Sequence, residues 1–291
     1  STITWSTSSR WRPGLRFVSK RGRGFAPPDR SRPCALGVYC RDLNLDSHAR
    51  NSDPLSITVP DGFMWHGQLR HLLLLAVLLP GAWAIAGDSL GDGSFLGVSD
   101  EVWFAAAVAV PVVQQLAVAL LWRAQLCNGL LTRTFGDAGF IVWGVIFFPL
   151  LVARPLLVAA VGLADVGSLP IPRPLGIALG SALILPALWA MHSVKKYFGF
   201  ARALGGDHFF ERYRTMPMVR AGAFKYSSNA MYAFVFIGFW GIALLCRSRA
   251  ALAVAMFQHA YIWVHWYCTE QPDGVVLYGR SPDEDLSLIH I

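Results

Sequence analysis

Six long apolar runs constrain the fold of this chain more than any other feature of its sequence. They lie near residues 71–87, 102–122, 139–163, 174–194, 230–247 and 250–267. A helix rises 1.5 Å per residue, so about 20 residues cross the roughly 30 Å hydrocarbon layer of a bilayer. Because lipid offers the backbone no hydrogen-bonding partner, helices are the expected structure there. The sequence therefore predicts an all-α, polytopic membrane bundle of about six transmembrane helices.

The composition agrees with a membrane protein, and the charge is unevenly placed. Hydrophobic residues make up 54% and charged residues 15% of the 291-residue chain, whereas about 25% of an ordinary soluble domain is charged. Residues 1–63 contain nine Arg, one Lys, five Asp and no Glu, so they carry five of the seven net positive charges. The basic charge is thus mostly a property of this segment, and it does not indicate nucleic-acid binding.

The chain divides into segments by composition. We expect residues 1–63 to be a leader, either a disordered transit-like segment or translated upstream sequence, and 286–291 to be an artefactual tail. Residues 64–280 then form the transmembrane domain, of which 190–280 is the cofactor-binding portion. The first apolar run ends in Ala84-Ile85-Ala86, so a cleaved signal peptide is the alternative to a retained first helix.

The charges of the connecting loops predict the orientation of the bundle. The loop after the first run is acidic and contains no base: Asp88, Asp92, Asp100 and Glu101. The loop after the second run carries Arg123 and Arg133, and the loop after the fourth is strongly basic: Lys195, Lys196, Arg202, Arg212, Arg214, Arg220 and Lys225. The positive-inside rule places these basic loops, and hence both chain ends, in the cytoplasm. Only residues 246–249 separate the last two runs, which predicts a tight helical hairpin.

Polar and aromatic residues are concentrated in two segments, 219–232 and 265–279, which enter and leave this hairpin. Because a hairpin returns the chain to the side from which it started, both segments are expected at one membrane face. The first segment offers two cations, an amide and two phenols: Arg220, Lys225, Asn229, Tyr226 and Tyr232. The second offers the carboxylates of Glu270 and Asp273. Such a pocket suits a zwitterionic ligand with a planar ring.

The same two segments resemble the motifs of a known superfamily. The first contains Gly222-x-Phe224-Lys225-Tyr226-x-x-Asn229-x-Met231-Tyr232, and the second contains Thr269-Glu270-x-Pro272-Asp273 followed by Tyr278-Gly279. Their order and spacing resemble the isoprenylcysteine carboxyl methyltransferase and phospholipid (phosphatidylethanolamine) methyltransferase superfamily of integral membrane methyltransferases. The resemblance covers roughly residues 190–280. The chain departs from the family pattern at five positions: Ala223 and Ala230 replace Pro, Ser228 and Asn229 replace Arg-His, and Gln271 replaces the second Glu of a pair.

The resemblance implies that S-adenosylmethionine is held by the last two helices. The residues expected to bind this cofactor are Lys225, Tyr226, Asn229, Tyr232, Glu270 and Asp273. The acceptor would be a membrane lipid or lipidated substrate, either a phospholipid headgroup amine or a prenylcysteine carboxylate, contacted by Arg220 and His259. His265 and Arg154 are the catalytic candidates. The expected location is an endomembrane such as the endoplasmic reticulum, or a bacterial inner membrane, with the site on the cytoplasmic side.

Arg154 and His259 each allow a second interpretation. Arg154 lies inside the third run beside Pro155, where a charge costs several kcal/mol unless it is paired or hydrated. It is either a buried anchor for an anionic group or a side chain that reaches the interface from a kinked helix. His259 lies inside the sixth run, where a histidine packed between helices is the alternative to a functional one.

Two other functions remain open on sequence grounds. A membrane sterol or steroid reductase using NADPH resembles the same C-terminal hairpin. A transporter or other non-catalytic membrane protein would carry ionisable residues at mid-depth in several runs, whereas only Arg154 and His259 do so here. No Cys-x-x-Cys pair occurs among the five cysteines, so neither a zinc site nor another metal site is expected.

Overall fold

The computed structural model describes residues 59–279, all of which belong to one compact unit. Most of the expected leader and all of the expected tail lie outside the described residues. The described chain is almost entirely helical, which confirms the predicted all-α class. Its strands are β1 (Ser94–Phe95) and β2 (Val98–Ser99), an antiparallel pair in which Phe95 lies opposite Val98.

The described residues form ten α-helices. They are α1 (Gln68–Ala86), α2 (Asp100–Asn128), α3 (Leu130–Phe135), α4 (Gly139–Ala164), α5 (Arg173–Ser193), α6 (Phe200–Ala203), α7 (Glu211–Arg214), α8 (Ile237–Cys246), α9 (Arg249–His265) and α10 (Gln271–Tyr278). Single 3₁₀ turns cover Phe63–Trp65, Gly87–Ser89, Gly136–Ala138, Gly206–His208 and Gly222–Lys225, and π-helical turns cover Val194–Phe198, Met231–Val235 and Trp266–Glu270.

Four stretches are long and apolar enough to cross a membrane. They are Phe63–Ser89, Asp100–Asn128, Leu130–Ala164 and Arg173–Phe198. These correspond to the first four predicted runs and make the chain an integral membrane protein. The last two runs are also helical, but the apolar helix Met231–Cys246 and the 17-residue helix α9 are shorter. Of the roughly six spans predicted, four are therefore full-length candidates, and the last two runs form shorter helices.

Helix α9 lies at the centre of the bundle. It packs against α1, α8, α2 and α4. Its first turns consist of small residues that are fully buried: Ala250, Ala251, Ala253, Val254 and Ala255. Small side chains let neighbouring backbones approach closely, which is how helices associate in lipid. This packing places the C-terminal end of α9, and the polar segment that follows it, inside the protein.

The hairpin between α8 and α9 is closed by a network of hydrogen bonds. Arg247 ends α8 in the left-handed conformation, with φ 52°. The Ser248 hydroxyl accepts from the N–H of Ala251 at 2.9 Å and donates to the carboxylate of Asp165 at 2.7 Å. That carboxylate also accepts from the N–H of Ala250 at 2.9 Å. The end of α4 thus fixes the point at which the chain turns, and the predicted tight hairpin is confirmed.

The outer surface of α1 is apolar and faces away from the bundle. Leu69, Leu73 and Val77 are exposed, as expected of a helix that contacts lipid. Between α1 and α2 lies an open apolar groove of about 460 Å³ that includes Leu79 and Trp83. This groove lies towards the β1–β2 end of the two helices, opposite to the end that carries the candidate site.

Candidate active site

Two π-helical turns stand where the predicted site segments meet the last hairpin. Met231–Val235 precedes α8, and Trp266–Glu270 follows α9. A π turn inserts an extra residue into a helix, and such turns occur frequently at functional sites. Here both lie at the same end of the hairpin. We call this end the basic face, because the basic segment 195–225 lies there.

The side chains of Tyr232 and Glu270 join the two turns. The Tyr232 hydroxyl donates to the Glu270 carboxylate and lies 2.6 Å from each of its oxygens. Glu270 keeps about 20% of its side chain exposed, whereas the nearby His265 is fully buried. The Nε2 atom of His265 lies 3.4 Å from Oε1 of Glu270, at ion-pair distance. The predicted meeting of the two segments is therefore confirmed, while the roles of these residues remain predictions.

Asp273 does not join this contact but lies in a buried ion pair. Its Oδ1 accepts from Nε of Arg123 at 2.9 Å, and the two side chains are 1% and 0% exposed. Its Oδ2 lies 3.6 Å from Nε2 of His208. The geometry favours a structural part for Asp273, and its binding of a cofactor remains a prediction.

Arg123 is not the cytoplasmic loop residue that the sequence predicts. It belongs to α2 and is fully buried. Besides Asp273, its guanidinium donates to backbone carbonyls before α1 and after α9. These are the carbonyls of Phe63, Met64, His66, Cys268 and Thr269. Burying a cation requires such partners. They come from sequence-distant segments, so the local pattern of Arg123 gave no sign of them.

His208 and Asp207 extend this ionic cluster at the basic face. The ring of His208 lies tilted against that of Trp122, with centroids 4.6 Å apart, and its Nδ1 lies 3.0 Å from Oδ1 of Asp207. Burial lowers the pKa of His208, but the carboxylates of Asp207 and Asp273 outweigh it and raise the pKa to about 9. Burial alone would raise the pKa of Asp207, yet His208 and the Tyr278 hydroxyl hold it below its usual value.

The cationic and aromatic candidates of the first segment lie on the surface. Lys225 and Arg220 are exposed, and neither forms an ion pair within residues 59–279. Tyr226 is 71% exposed, and its ring contacts Trp189 at a centroid distance of 5.9 Å. Asn229 is half-buried, and its carbonyl accepts the N–H of Tyr232 at 2.9 Å. Of these four residues, Asn229 is the one linked to Tyr232 by a hydrogen bond.

Gly222 of the first motif is explained by close packing against the end of α5. Its φ is 61°, and a Cβ atom there would lie 2.5 Å from the hydroxyl oxygen of Ser193. That hydroxyl accepts the N–H of Ala223 at 3.1 Å. Only glycine combines this backbone conformation with such a short approach. The motif thus anchors the loop that leads to Tyr232.

Arg154 lies inside the bundle and does not reach the interface. It is 1% exposed and donates from Nε to Gln258 at 2.8 Å and from Nη1 to Gln114 at 3.3 Å. Its guanidinium carbon lies 4.7 Å above the ring of Phe236. The remaining nitrogen, Nη2, has no hydrogen-bond partner. Of the two interpretations of Arg154, the buried one agrees with this position.

His259 has the surroundings of a packed interhelical residue. It is half-buried, and its ring lies 5.8 Å from that of Phe236 and 6.3 Å from that of Trp240. That His259 contacts a substrate remains a prediction.

Within residues 59–279, no three His, Cys, Asp or Glu side chains are grouped to hold a metal ion.

A second histidine, which the sequence did not single out as a site residue, accompanies His265. His71 of α1 has its Nε2 atom 2.9 Å from the hydroxyl of Tyr261, and its ring lies 5.8 Å from that of His265. All three side chains are fully buried. Tyr261 and His265 are four residues apart and therefore share one face of α9, but only the folded bundle shows that His71 faces them.

Comparisons with known proteins agree with this geometry. A family model described as phospholipid methyltransferase matches residues 175–281. Phosphatidylethanolamine N-methyltransferase of Candida albicans is 33% identical over 119 residues, which are 40% of this chain and 13% of that protein. Those of Clavispora lusitaniae and Debaryomyces hansenii are each 30% identical, over 38% and 37% of this chain and 13% and 12% of theirs.

The matched region therefore spans only about an eighth of the length of these curated relatives. No solved structure matches the chain. The region that does match contains the two π turns of the candidate site, the Tyr232–Glu270 contact and the two motifs. Residues 175–281 of this chain are thus similar to the phospholipid methyltransferase family, which lies within the superfamily that the motifs predicted.

Proposed function

We propose that this protein is an integral membrane methyltransferase that uses S-adenosylmethionine to methylate the amine of a phospholipid headgroup. The observation that carries the proposal is the Tyr232–Glu270 contact, which joins the two family motifs across the last hairpin. The matched relatives are named for methylation of phosphatidylethanolamine. Their name favours a headgroup amine over a prenylcysteine carboxylate as the acceptor.

Glu270 and Tyr232 have the chemistry needed to bind the methyl donor. The partly exposed carboxylate of Glu270 accepts hydrogen bonds from ribose hydroxyls or from the methionine ammonium, and charge-assisted bonds of this kind are strong. Tyr232 orients that carboxylate and presents its ring to the cationic sulfonium. Asn229, Lys225 and Tyr226 lie along the same loop and complete the proposed donor site from its exposed side.

The reaction itself depends on placement. The donor supplies a methyl group that is already activated by the positive sulfur, so an in-line displacement needs no covalent help from the protein. Holding two reactants in line contributes up to about 7–11 kcal/mol to lowering the barrier. The hairpin places the donor beside the membrane, and Arg220, exposed at the basic face, is the proposed contact for the phosphate of the acceptor.

Arg154 is a positioning residue in this proposal. Its hydrogen bonds to Gln114 and Gln258 connect α2, α4 and α9, and its contact with Phe236 lies one helical turn after Tyr232. The cation thereby fixes the start of α8 relative to the other helices. That Arg154 also anchors an anion remains a prediction. The atom available to donate to such an anion is Nη2, which has no hydrogen-bond partner.

The donor pocket can be tested by binding. Calorimetry on the detergent-purified full chain is expected to detect S-adenosylhomocysteine, and Glu270→Gln is expected to weaken it at least tenfold, the loss of about one charge-assisted hydrogen bond. Glu211→Gln is the matched control, because Glu211 is an exposed carboxylate on the same face. If the protein bound NADPH but not S-adenosylhomocysteine, that result would instead support the reductase. Unchanged affinity in Glu270→Gln would remove this residue from the pocket.

A further inference from the structure

Three buried side chains, one of which lies beside Glu270, have no place in the donor pocket. They are His71, Tyr261 and His265, all at 0% exposure. In each histidine at least one ring nitrogen lacks a hydrogen-bond partner: Nδ1 of His71, and both Nδ1 and Nε2 of His265. Leaving buried polar atoms unpaired costs about 1–3 kcal/mol each. Such a group is expected to have a use that offsets this cost.

The arrangement around His265 is that of an oriented base. On one side the Glu270 carboxylate lies 3.4 Å from Nε2, and on the other the ring of His71 lies edge-on at 5.8 Å. The Tyr261 hydroxyl, 2.9 Å from Nε2 of His71, fixes the orientation of that second ring. A carboxylate beside an imidazole stabilises the imidazolium that forms when the ring takes up a proton.

The proposed reaction requires such a base. An alkylammonium headgroup has a pKa near that of lysine, about 10, so nearly all of it is protonated at neutral pH. A protonated nitrogen has no electron pair with which to attack. Imidazole is the side chain best suited to remove a proton near pH 7.

We propose that His265 removes the proton from the acceptor ammonium and that His71, supplied by the first helix, holds His265 in place for this step. The inference rests on the proposed methyltransferase function and adds to it a residue from outside the matched segment 175–281. In this proposal His265 is the catalytic residue, because its ring takes the proton from the acceptor nitrogen itself. His71 and Tyr261 are positioning residues.

The step balances in atoms and charge. The ammonium gives its proton to a ring nitrogen of His265, and the freed electron pair of the headgroup nitrogen forms the new bond to the methyl carbon. The carbon–sulfur bond breaks, and its electron pair neutralises the sulfonium. One proton is released per methyl group transferred. Because His265 is buried, the imidazolium passes it to water by way of the partly exposed Glu270 carboxylate, 3.4 Å away.

The charged and titratable groups around the pair come from four elements. They are Tyr261 on α9, Glu270 in the turn that follows it, Tyr232 in the turn before α8, and Arg123 on α2, whose charge acts on His71. Because these groups also titrate or carry charge, the test compares each variant with the unmodified protein at the same pH. An effect of pH that is shared by the variants and the unmodified protein then cancels.

The test measures methyl transfer to phosphatidylethanolamine vesicles by the full chain with labelled donor, for His265→Gln and His71→Gln. At about pH 7 we expect His265→Gln to be roughly 10²–10⁴-fold slower, the usual contribution of a general base, with a smaller loss for His71→Gln. Near pH 9.5 about a quarter of the headgroup amine is already neutral, compared with about a thousandth at pH 7, so both losses should shrink at least tenfold. His192→Gln, at an exposed histidine, should match the unmodified protein throughout.

Affinity for S-adenosylhomocysteine separates this role from a structural one. We expect both variants to bind it within about twofold of the unmodified protein, because neither ring belongs to the donor pocket. If His71→Gln does not fold, Tyr261→Phe removes the same hydrogen bond with less change in shape and should show the same recovery at high pH. A loss that is equal at both pH values would overturn the inference. Absence of transfer by the unmodified protein would overturn the proposed function itself.

Discussion

Arg123 is a single side chain that holds together three parts of the protein. It joins the turn before α1, its own helix α2 and the segment that follows α9, through Asp273 and several backbone carbonyls. Because guanidinium carries five N–H donors in a planar fork, one residue can satisfy this many partners. The proposed site depends on it indirectly, since Glu270 lies three residues before Asp273.

Removing the negative partner of Arg123 is expected to destabilise the protein. Asp273→Asn keeps the shape of the side chain but leaves a buried cation without its carboxylate, for a loss of about 3–5 kcal/mol. Denaturation in detergent micelles, followed by tryptophan fluorescence, would measure it. Glu211→Gln, at an exposed carboxylate, is the control. Equal stability of the two variants would show that the ion pair contributes nothing.

His208 should make the stability depend on pH in the alkaline range. The pKa of His208 is raised to about 9 in the folded protein, so the folded chain holds this proton more tightly than the unfolded chain does. The stabilisation is complete below the ordinary histidine pKa of about 6.5 and is lost as the pH rises through the folded value.

The melting temperature is therefore expected to fall between about pH 6.5 and pH 9, and His208→Gln should remove most of this fall. Scanning calorimetry in a set of buffers with equal heats of ionisation would follow the change. A melting temperature that declined just as steeply in the variant would assign the dependence to another group.

At the scale of elements, helix α9 decides where the site is built. Its alanine-rich first half packs against four other helices, and its second half carries Gln258, Tyr261 and His265 towards the interior. The helix begins at Ser248, whose hydroxyl caps it and binds Asp165 at the end of α4. The start of the helix therefore determines the depth at which its polar end lies.

Loss of this cap should weaken the hairpin. Ser248→Ala removes the bond to the N–H of Ala251 and leaves the buried carboxylate of Asp165 with one donor fewer, which is expected to cost about 1–2 kcal/mol. Ser99→Ala, which removes the exposed and longer cap of α2 at 3.4 Å, should cost less. The two variants would be compared by chemical denaturation. A larger loss of stability in Ser99→Ala than in Ser248→Ala would contradict the importance given to the turn between α8 and α9.

At the scale of the whole molecule, the acidic and basic loops lie at opposite ends of the long helices. The loop between α1 and α2 holds Asp88 and Asp92, and the segment after α5 holds Lys195 and Lys196. The positive-inside rule predicts that the latter end is cytoplasmic. The proposed site lies at that end, so the orientation also determines the compartment from which the donor enters.

Cysteine labelling would test this orientation. In a chain whose native cysteines are replaced by serine, Asp92→Cys and Lys195→Cys are expected to react with a membrane-impermeant thiol reagent from opposite sides. In intact cells or sealed vesicles that retain the native orientation, only the first should be labelled before permeabilisation. Labelling of Lys195→Cys from the outside would invert the proposed topology.

The sequence alone determined the features that depend on local pattern. Apolar runs of sufficient length predicted the membrane helices, and the four residues 246–249 predicted the hairpin, because both follow from the length of helix needed to cross lipid. The motifs around Tyr232 and Glu270 predicted the family, and the hairpin predicted that these two residues meet. None of this requires contacts between residues that are distant in sequence.

Only the tertiary structure decided which polar side chains are buried and with what partners. Arg123 and Asp273 are 150 residues apart, and His71 and Tyr261 are 190 apart, so no window of sequence contains either pair. A charge can be buried only where the fold supplies its hydrogen-bonding partner. For this reason Arg123 had the sequence pattern of a loop cation yet lies in the core, and His71 could be recognised only after α1 had packed against α9.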